Sequence, residues 1–220
     1  MPLTATPEDI TAYQEKLQKN KITPHDLPPC RRCNIDSAFF KPHAYRERRF
    51  LVIIKMLIQA VFSQLLRFRC PGCGTTFTYY PNFALPHKHF TRQTIMEFSA
   101  TYVQSEHITY EKATMADFDA PGYLDDLRTL SGSTIHRWIT TISGFVESGR
   151  KALDLVHQAN PASNICRKLA ALTISPRKYR SKNRKDRLLS CRKLLVTEFF
   201  FQAVFQLSIF TKLAIGCRFR

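Results

Sequence analysis

Acidic side chains are scarce in this sequence. Seventeen Asp and Glu stand against 33 Lys and Arg, giving a formal net charge of +16 and a pI near 9.8. That deficit points to polyanionic partners, nucleic acid first and an anionic membrane surface second. Basic and apolar leader features are scarce too: Met1–Asp9 shows neither a basic n-region nor an apolar h-region, so no secretory signal is visible and the expected location is the cytoplasm. No internal repeat of fixed period is present. The seven cysteines cannot all pair, which argues against a complete disulfide framework; Cys-x-x-Cys pairs in an intracellular chain more often hold metal. Wholesale disorder is also unexpected, because 44% hydrophobic and 23% charged residues allow a buried core.

The charge that is present is unevenly distributed. Residues 30–93 hold 11 basic and 2 acidic side chains, and residues 174–220 hold 12 and 2, whereas 94–149 hold 3 and 8. Two positive blocks therefore flank a mildly acidic middle, an arrangement suited to phosphate contacts from both ends.

Thr6-Pro7-Glu8-Asp9 predicts a helix start, with Thr6 as cap and two acids at the positive end of the dipole, running to about Asn20. From Cys30 to Pro81 the signals are mostly β. Arg49–Ile54, 64–70 and 75–80 read as strands, and the apolar section Lys55–Ser63 reads equally as strand or buried helix. After Pro86 the pattern turns helical: Thr91–Gln104, Tyr110–Phe118, Gly122–Leu130, Ile135 to about Val146, and Arg150–His157. The expected class is α+β, a β-rich zinc ribbon followed by a helical bundle containing a helix-turn-helix. Its expected segments are an N-terminal helix and linker (1–27), the ribbon (28–90), the helical domain (91–158), and a basic linker with an apolar helix (159–220).

Cys30-Arg31-Arg32-Cys33 and Cys70-Pro71-Gly72-Cys73-Gly74 each offer two thiolates from one tight knuckle, and together they supply the four ligands of a tetrahedral zinc ion. Gly72 and Gly74 allow the positive φ angles that let backbone amides turn toward the sulfurs. The separation of the pairs exceeds the usual gap of about 15–20 residues; a long hairpin or an inserted helix would absorb the excess. A redox role for the second pair would want a βαβ context that the sequence lacks. Four thiolates leave no open position, so Zn2+ here would be structural. His87 and His89 offer an alternative ligand pair, although surface histidines in a basic loop are commoner. Cys166, Cys191 and Cys217 are scattered singly and read as core or incidental.

In Ser133–Ile142 the apolar residues Ile135, Trp138, Ile139 and Ile142 form one buried stripe. The opposite face presents Ser133, Thr134, His136 and Arg137, which suit a recognition helix entering the major groove; an ordinary amphipathic helix has the same pattern. Arg177, Lys178, Arg180, Lys182, Arg184, Lys185 and Arg187 form a basic segment able to neutralise DNA phosphates, or else a solvated linker. Leu194–Gly216 is apolar but contains Glu198, Gln202, Gln206, Ser208 and Lys212, which oppose a membrane span. Glu198, Gln202 and Gln206 fall on one helical stripe, so this segment reads as a helix docked on the body or on a second copy in a homo-oligomer. A membrane-surface helix is the lesser alternative.

Leu66–Phe77, with its Cys70-Pro71-Gly72-Cys73-Gly74 core, then Leu85-Pro86 and a Tyr/Phe-rich helix, resembles the zinc-ribbon start of insertion-sequence transposases and related uncharacterised bacterial proteins. In those families a helix-turn-helix follows whose second helix reads Ser-x-Ser-Thr-hydrophobic-x-Arg-Trp, and Ser131–Trp138 matches it. The resemblance covers about residues 28–145 and implies DNA binding, at transposon ends or in a regulatory role. It does not extend to catalysis. After Trp138 the acids are Glu147, Asp154, Asp186 and Glu198, too few and too close to the end for a two-metal carboxylate core, so neither enzymatic activity nor a small-molecule substrate is expected. The competing class is a protein–protein adaptor that uses the ribbon and the aromatic tail as surfaces.

Overall fold

A computed structural model of the chain describes residues 7–54, 57–114 and 130–213. The elements are α1 (Pro7–Gln18), β1 (Lys41–Ile54), β2 (Leu57–Arg69), β3 (Thr76–Thr78), α2 (Arg92–Gln104), α3 (Tyr110–Ala113), α4 (Gly132–Ser143), α5 (Val146–Ala159), α6 (Ile165–Ala170), α7 (Lys182–Phe205) and α8 (Ile209–Lys212). The class is α+β, as the sequence predicts. Two compact units divide the chain, Met1–Thr94 with Phe205–Arg220, and Ile95–Val204.

In the first unit, β1 and β2 form one long antiparallel hairpin and β3 adds to β2. The ambiguous section before Ser63 is strand over its described part, so a hairpin rather than a helix takes up the length between the cysteine pairs. Strand 1 is also longer than its β-branched end suggested, because Lys41–Arg49 pairs with Phe62–Arg69 despite its high charge. Phe50, Val52, Leu65 and Phe68 are buried on the hairpin. Helix α1 covers β2: Ile10, Tyr13 and Leu17, spaced by three and four, are buried, and Gln14 Nε2 donates to Phe62 O at 2.7 Å. The outer edge of β1 is paired at one point, Leu51. Leu51 N donates to His89 O at 2.8 Å, and Thr91 N donates to Leu51 O at 3.2 Å, which limits open edge pairing. The C-terminal residues of this unit are held by Asn82, whose Oδ1 accepts from Ser208 N at 3.0 Å.

The second unit is helical. Ile135, Trp138, Ile139 and Ile142 of α4 are buried, as their spacing predicts, and Trp138 meets Phe98 with ring centroids 6.3 Å apart. Leu194 of α7 lies against Gly149 of α5. Part of the expected basic linker is instead a 3-10 turn (Pro176–Lys178) and the first turns of α7. The expected polar stripe of α7 is also displaced. Leu188, Cys191, Leu194, Thr197, Glu198 and Phe201 make its buried face, so Glu198 is 2% exposed while Phe199 is 65% exposed. Spacing from Leu188 and Leu194, rather than polarity, sets which side faces inward. The expected helix start at Thr6, most of the expected helix 122–130, the far half of 110–118, and Cys217 lie outside the described residues. Among the described residues, no helix is long and apolar enough to cross a membrane.

Candidate metal centre and basic surface

The two cysteine knuckles have the same backbone. Asn34 N donates to Cys30 O at 2.8 Å, and Gly74 N donates to Cys70 O at 3.0 Å. Cys30 N donates to Ile35 O at 2.8 Å, and Cys70 N donates to Thr75 O at 2.9 Å. Each turn closes through a left-handed residue directly after its second cysteine, Asn34 at φ 58° and Gly74 at φ 71°, whereas Gly72, expected to do the same, does not take a positive φ. Gly and Asn are the residues that occupy this region at least cost. The glycine is an obvious turn signal in the sequence; the equivalent use of Asn34 was legible only once the two turns are superimposed.

The hairpin brings these turns together. The four Sγ atoms of Cys30, Cys33, Cys70 and Cys73 lie within 4.8 Å of one another. Cys30 and Cys73 are 3.4 Å apart, as are Cys33 and Cys70. Sulfurs about 2.3 Å from a tetrahedral metal would be separated by about 3.8 Å, so the cluster has the dimensions of a tetrathiolate metal site. All four cysteines are free thiols rather than disulfides. Neither His87 nor His89 joins them, and the His89 ring lies 3.2 Å from Arg49 O instead.

The sulfurs are electrostatically unequal. The Thr75 hydroxyl and amide, with smaller help from Cys30 and Cys33, bring the Cys73 thiol down to about 6. Burial opposes ionisation of Cys70, yet the amides of Cys73 and Gly72 and the Cys33 thiol hold it below its ordinary value. At Cys33 the Ile35 amide favours the thiolate, but burial and the three other cysteines outweigh it and push the thiol up to about 12. A metal ion would displace the protons that remain on the sulfurs. Four sulfur ligands fill a tetrahedron, so the arrangement can cross-link the fold but leaves no position for substrate.

In the second unit, α4 starts at Ser131, whose hydroxyl accepts from Ser133 N at 3.3 Å. Ser133 and Arg137 are exposed; Thr134 and His136 are half-buried. An aromatic ladder stands beside them. Tyr102 stacks on Tyr110 at 3.9 Å, and Tyr110 meets His136 edge-on at 5.8 Å. Burial, then Arg184, Arg187 and Arg137, lower the His136 pKa. Residues 50 positions apart therefore share one electrostatic neighbourhood.

The basic segment is not uniformly available. Lys178 is 7% exposed; its ammonium lies over the Tyr102 ring at 3.9 Å and donates to Tyr102 O at 2.5 Å and Ile108 O at 3.0 Å. Arg184 is half-buried, donating from Nε to Lys178 O at 2.7 Å and from Nη2 to the Tyr102 hydroxyl at 3.1 Å. These two hold the ladder together. Arg177 lies 2.7 Å from His107 Nδ1 and Lys185 lies over Tyr179, yet both remain exposed, as do Arg180, Lys182 and Arg187.

Residues 30–118 match a family described as a domain of unknown function (DUF6431). The matched segment holds both cysteine pairs, all three strands, α2 and α3, and ends before α4. No curated protein and no solved structure matches the chain. The resemblance to insertion-sequence transposases is therefore carried by the motifs alone.

Proposed function

We propose that this chain is a zinc-holding, non-catalytic DNA-binding protein related to insertion-sequence transposases. Cys30, Cys33, Cys70 and Cys73 would bind one Zn2+ as a structural cross-link. Zinc is favoured over other ions because a tetrathiolate of tetrahedral size suits a soft to borderline cation with no redox chemistry. Ser133, Thr134, His136 and Arg137 would face DNA, with Arg180, Lys182, Lys185 and Arg187 on the phosphates.

The observation that supports the DNA reading is the meeting of α4 and α7 at His136. The Arg184 guanidinium of α7 lies 5.7 Å over the Tyr110 ring, which meets His136 edge-on at 5.8 Å, and after burial the charges of Arg184, Arg187 and Arg137 lower the half-buried imidazole's pKa. Concentrating cations around the polar face of a short helix is unfavourable unless an anion shares the surface. Direct base contact differs from phosphate contact in what its loss does. Arg137→Ala should relax sequence choice, costing about 1–3 kcal/mol on a preferred site and little on random duplex. Arg187→Ala should weaken both equally and flatten the salt dependence. Equal losses on both DNAs from Arg137→Ala would remove the base-reading role.

A second reading, a protein–protein adaptor, is favoured by Phe39, Tyr45 and Phe62, which are 67%, 53% and 57% exposed. Salt separates the two: nucleic-acid binding weakens steeply as salt rises, whereas an apolar interface does not.

A further inference from the structure

The second cysteine knuckle borders a wide-open, solvent-facing cavity of about 650 Å3, lined by Lys41, Pro42, His43, Arg69 and the turn from Cys70 to Gly74. No acidic residue lines it. Lys41 and Arg69 are direct cross-strand partners, and like charges placed opposite one another in a sheet are destabilising. The register shift between Pro42 and Ala44 makes His43 the extra residue of a bulge, a device that re-aims a side chain. All three cationic or ionisable side chains are exposed, and among the described residues none has a carboxylate partner. The Arg69 guanidinium lies beside the turn: a β-carbon on Gly74 would be 3.2 Å from its Nη2. Its strand neighbour Arg67, by contrast, is spent on the Thr76 hydroxyl at 2.7 Å.

We propose that this cavity seats a phosphate of a nucleic-acid backbone, with Lys41, His43 and Arg69 as its donors. The seat is separate from α4 and needs no base contact. It rests on the DNA-binding reading for its polymeric source, while its preference for phosphate rests on the cavity itself. A metal tetrathiolate carries two negative charges, which a pair of cations could serve merely to balance. Residues 30–93 carry eleven basic against two acidic side chains, so the surroundings stay positive after that balance is made.

The zinc-loaded full chain tests this in two arms. In the first, inorganic phosphate is titrated at constant ionic strength while the Gly72 and Gly74 amide resonances are followed. In the second, a random-sequence duplex is bound by wild type and by Lys41→Gln/Arg69→Gln across a salt series. Saturable movement of both glycines with phosphate but not chloride is expected, and the double variant should abolish it while keeping its zinc. The variant's salt slope should fall by about one unit, so that its DNA affinity loses about three- to fourfold less than wild type between 50 and 200 mM salt. Unmoved glycines and an unchanged slope would overturn the seat and leave the α4 reading standing. If wild type binds no duplex yet its glycines respond, the cavity takes free phosphate and the nucleic-acid source is overturned. Loss of zinc from the variant together with unmoved glycines in wild type would assign the cations to the metal centre and overturn the proposal.

Discussion

Gly72 lies against Ile35 so tightly that a β-carbon at 72 would fall inside the distance real side chains tolerate from Ile35 Cδ1. The two residues belong to opposite knuckles, so a side chain at 72 must displace the terminal methyl of Ile35 on the other knuckle. Gly72→Ala should therefore destabilise by about 1–3 kcal/mol through overpacking and weaken metal retention. Adding Ile35→Ala should restore metal affinity in the double variant, because it removes the obstructing methyl. Chelator competition reads both effects; unchanged metal affinity in Gly72→Ala would show that the contact does not set the site's dimensions.

Lys178 makes the stability of the helical unit depend on pH. Burial, followed by the charge of Arg184, lowers its ammonium from 10.5 to about 8. The folded pKa is below the unfolded one, so the unfolded chain binds more protons across that window and stability rises with pH through it. The penalty is complete below pH 8 and absent above 10.5. Buried Cys191 and half-buried Tyr110, both raised first by burial, act in the opposite direction at high pH, but they do so equally in a Lys178→Met variant. The quantity to follow is the difference in denaturant-unfolding free energy between wild type and Lys178→Met. It should move in favour of wild type between pH 8 and 10. A flat difference would place the Lys178 ammonium at its ordinary pKa.

Along α7, Phe201 is fully buried and Phe199 is 65% exposed. Phe201→Ala should cost about 3–5 kcal/mol, while Phe199→Ser should stay within about 0.5 kcal/mol. Thermal unfolding of the two variants side by side checks the rotation of the helix. Comparable losses would mean that Phe199 is covered, as it would be in a homo-oligomer built on this helix.

The contrast between these phenylalanines shows what the sequence could and could not reveal. The α4 stripe was legible because Ile135, Trp138, Ile139 and Ile142 repeat at helical spacing against polar neighbours. On α7, apolar residues surround the helix from Leu194 onward, so periodicity cannot choose a face; the surrounding helices do. The metal cluster was legible from two short motifs, since each knuckle is a local structure. The choice of hairpin over inserted helix, and the start of β1 at Lys41, were not, because Arg46, Glu47 and Arg48 carry little strand propensity and are held by pairing with β2. Nor could the sequence separate Lys178 from its basic neighbours. Its burial follows from the Tyr102 and Ile108 carbonyls, which lie 76 and 70 residues away along the chain.

Metal content decides first whether the tetracysteine cluster works as described. Elemental analysis of the purified chain should find about one zinc per molecule, and a Cys70→Ser/Cys73→Ser variant should lose it together with cooperative unfolding of the hairpin unit. Well-folded wild-type protein without zinc, equal in stability to the variant, would contradict the account.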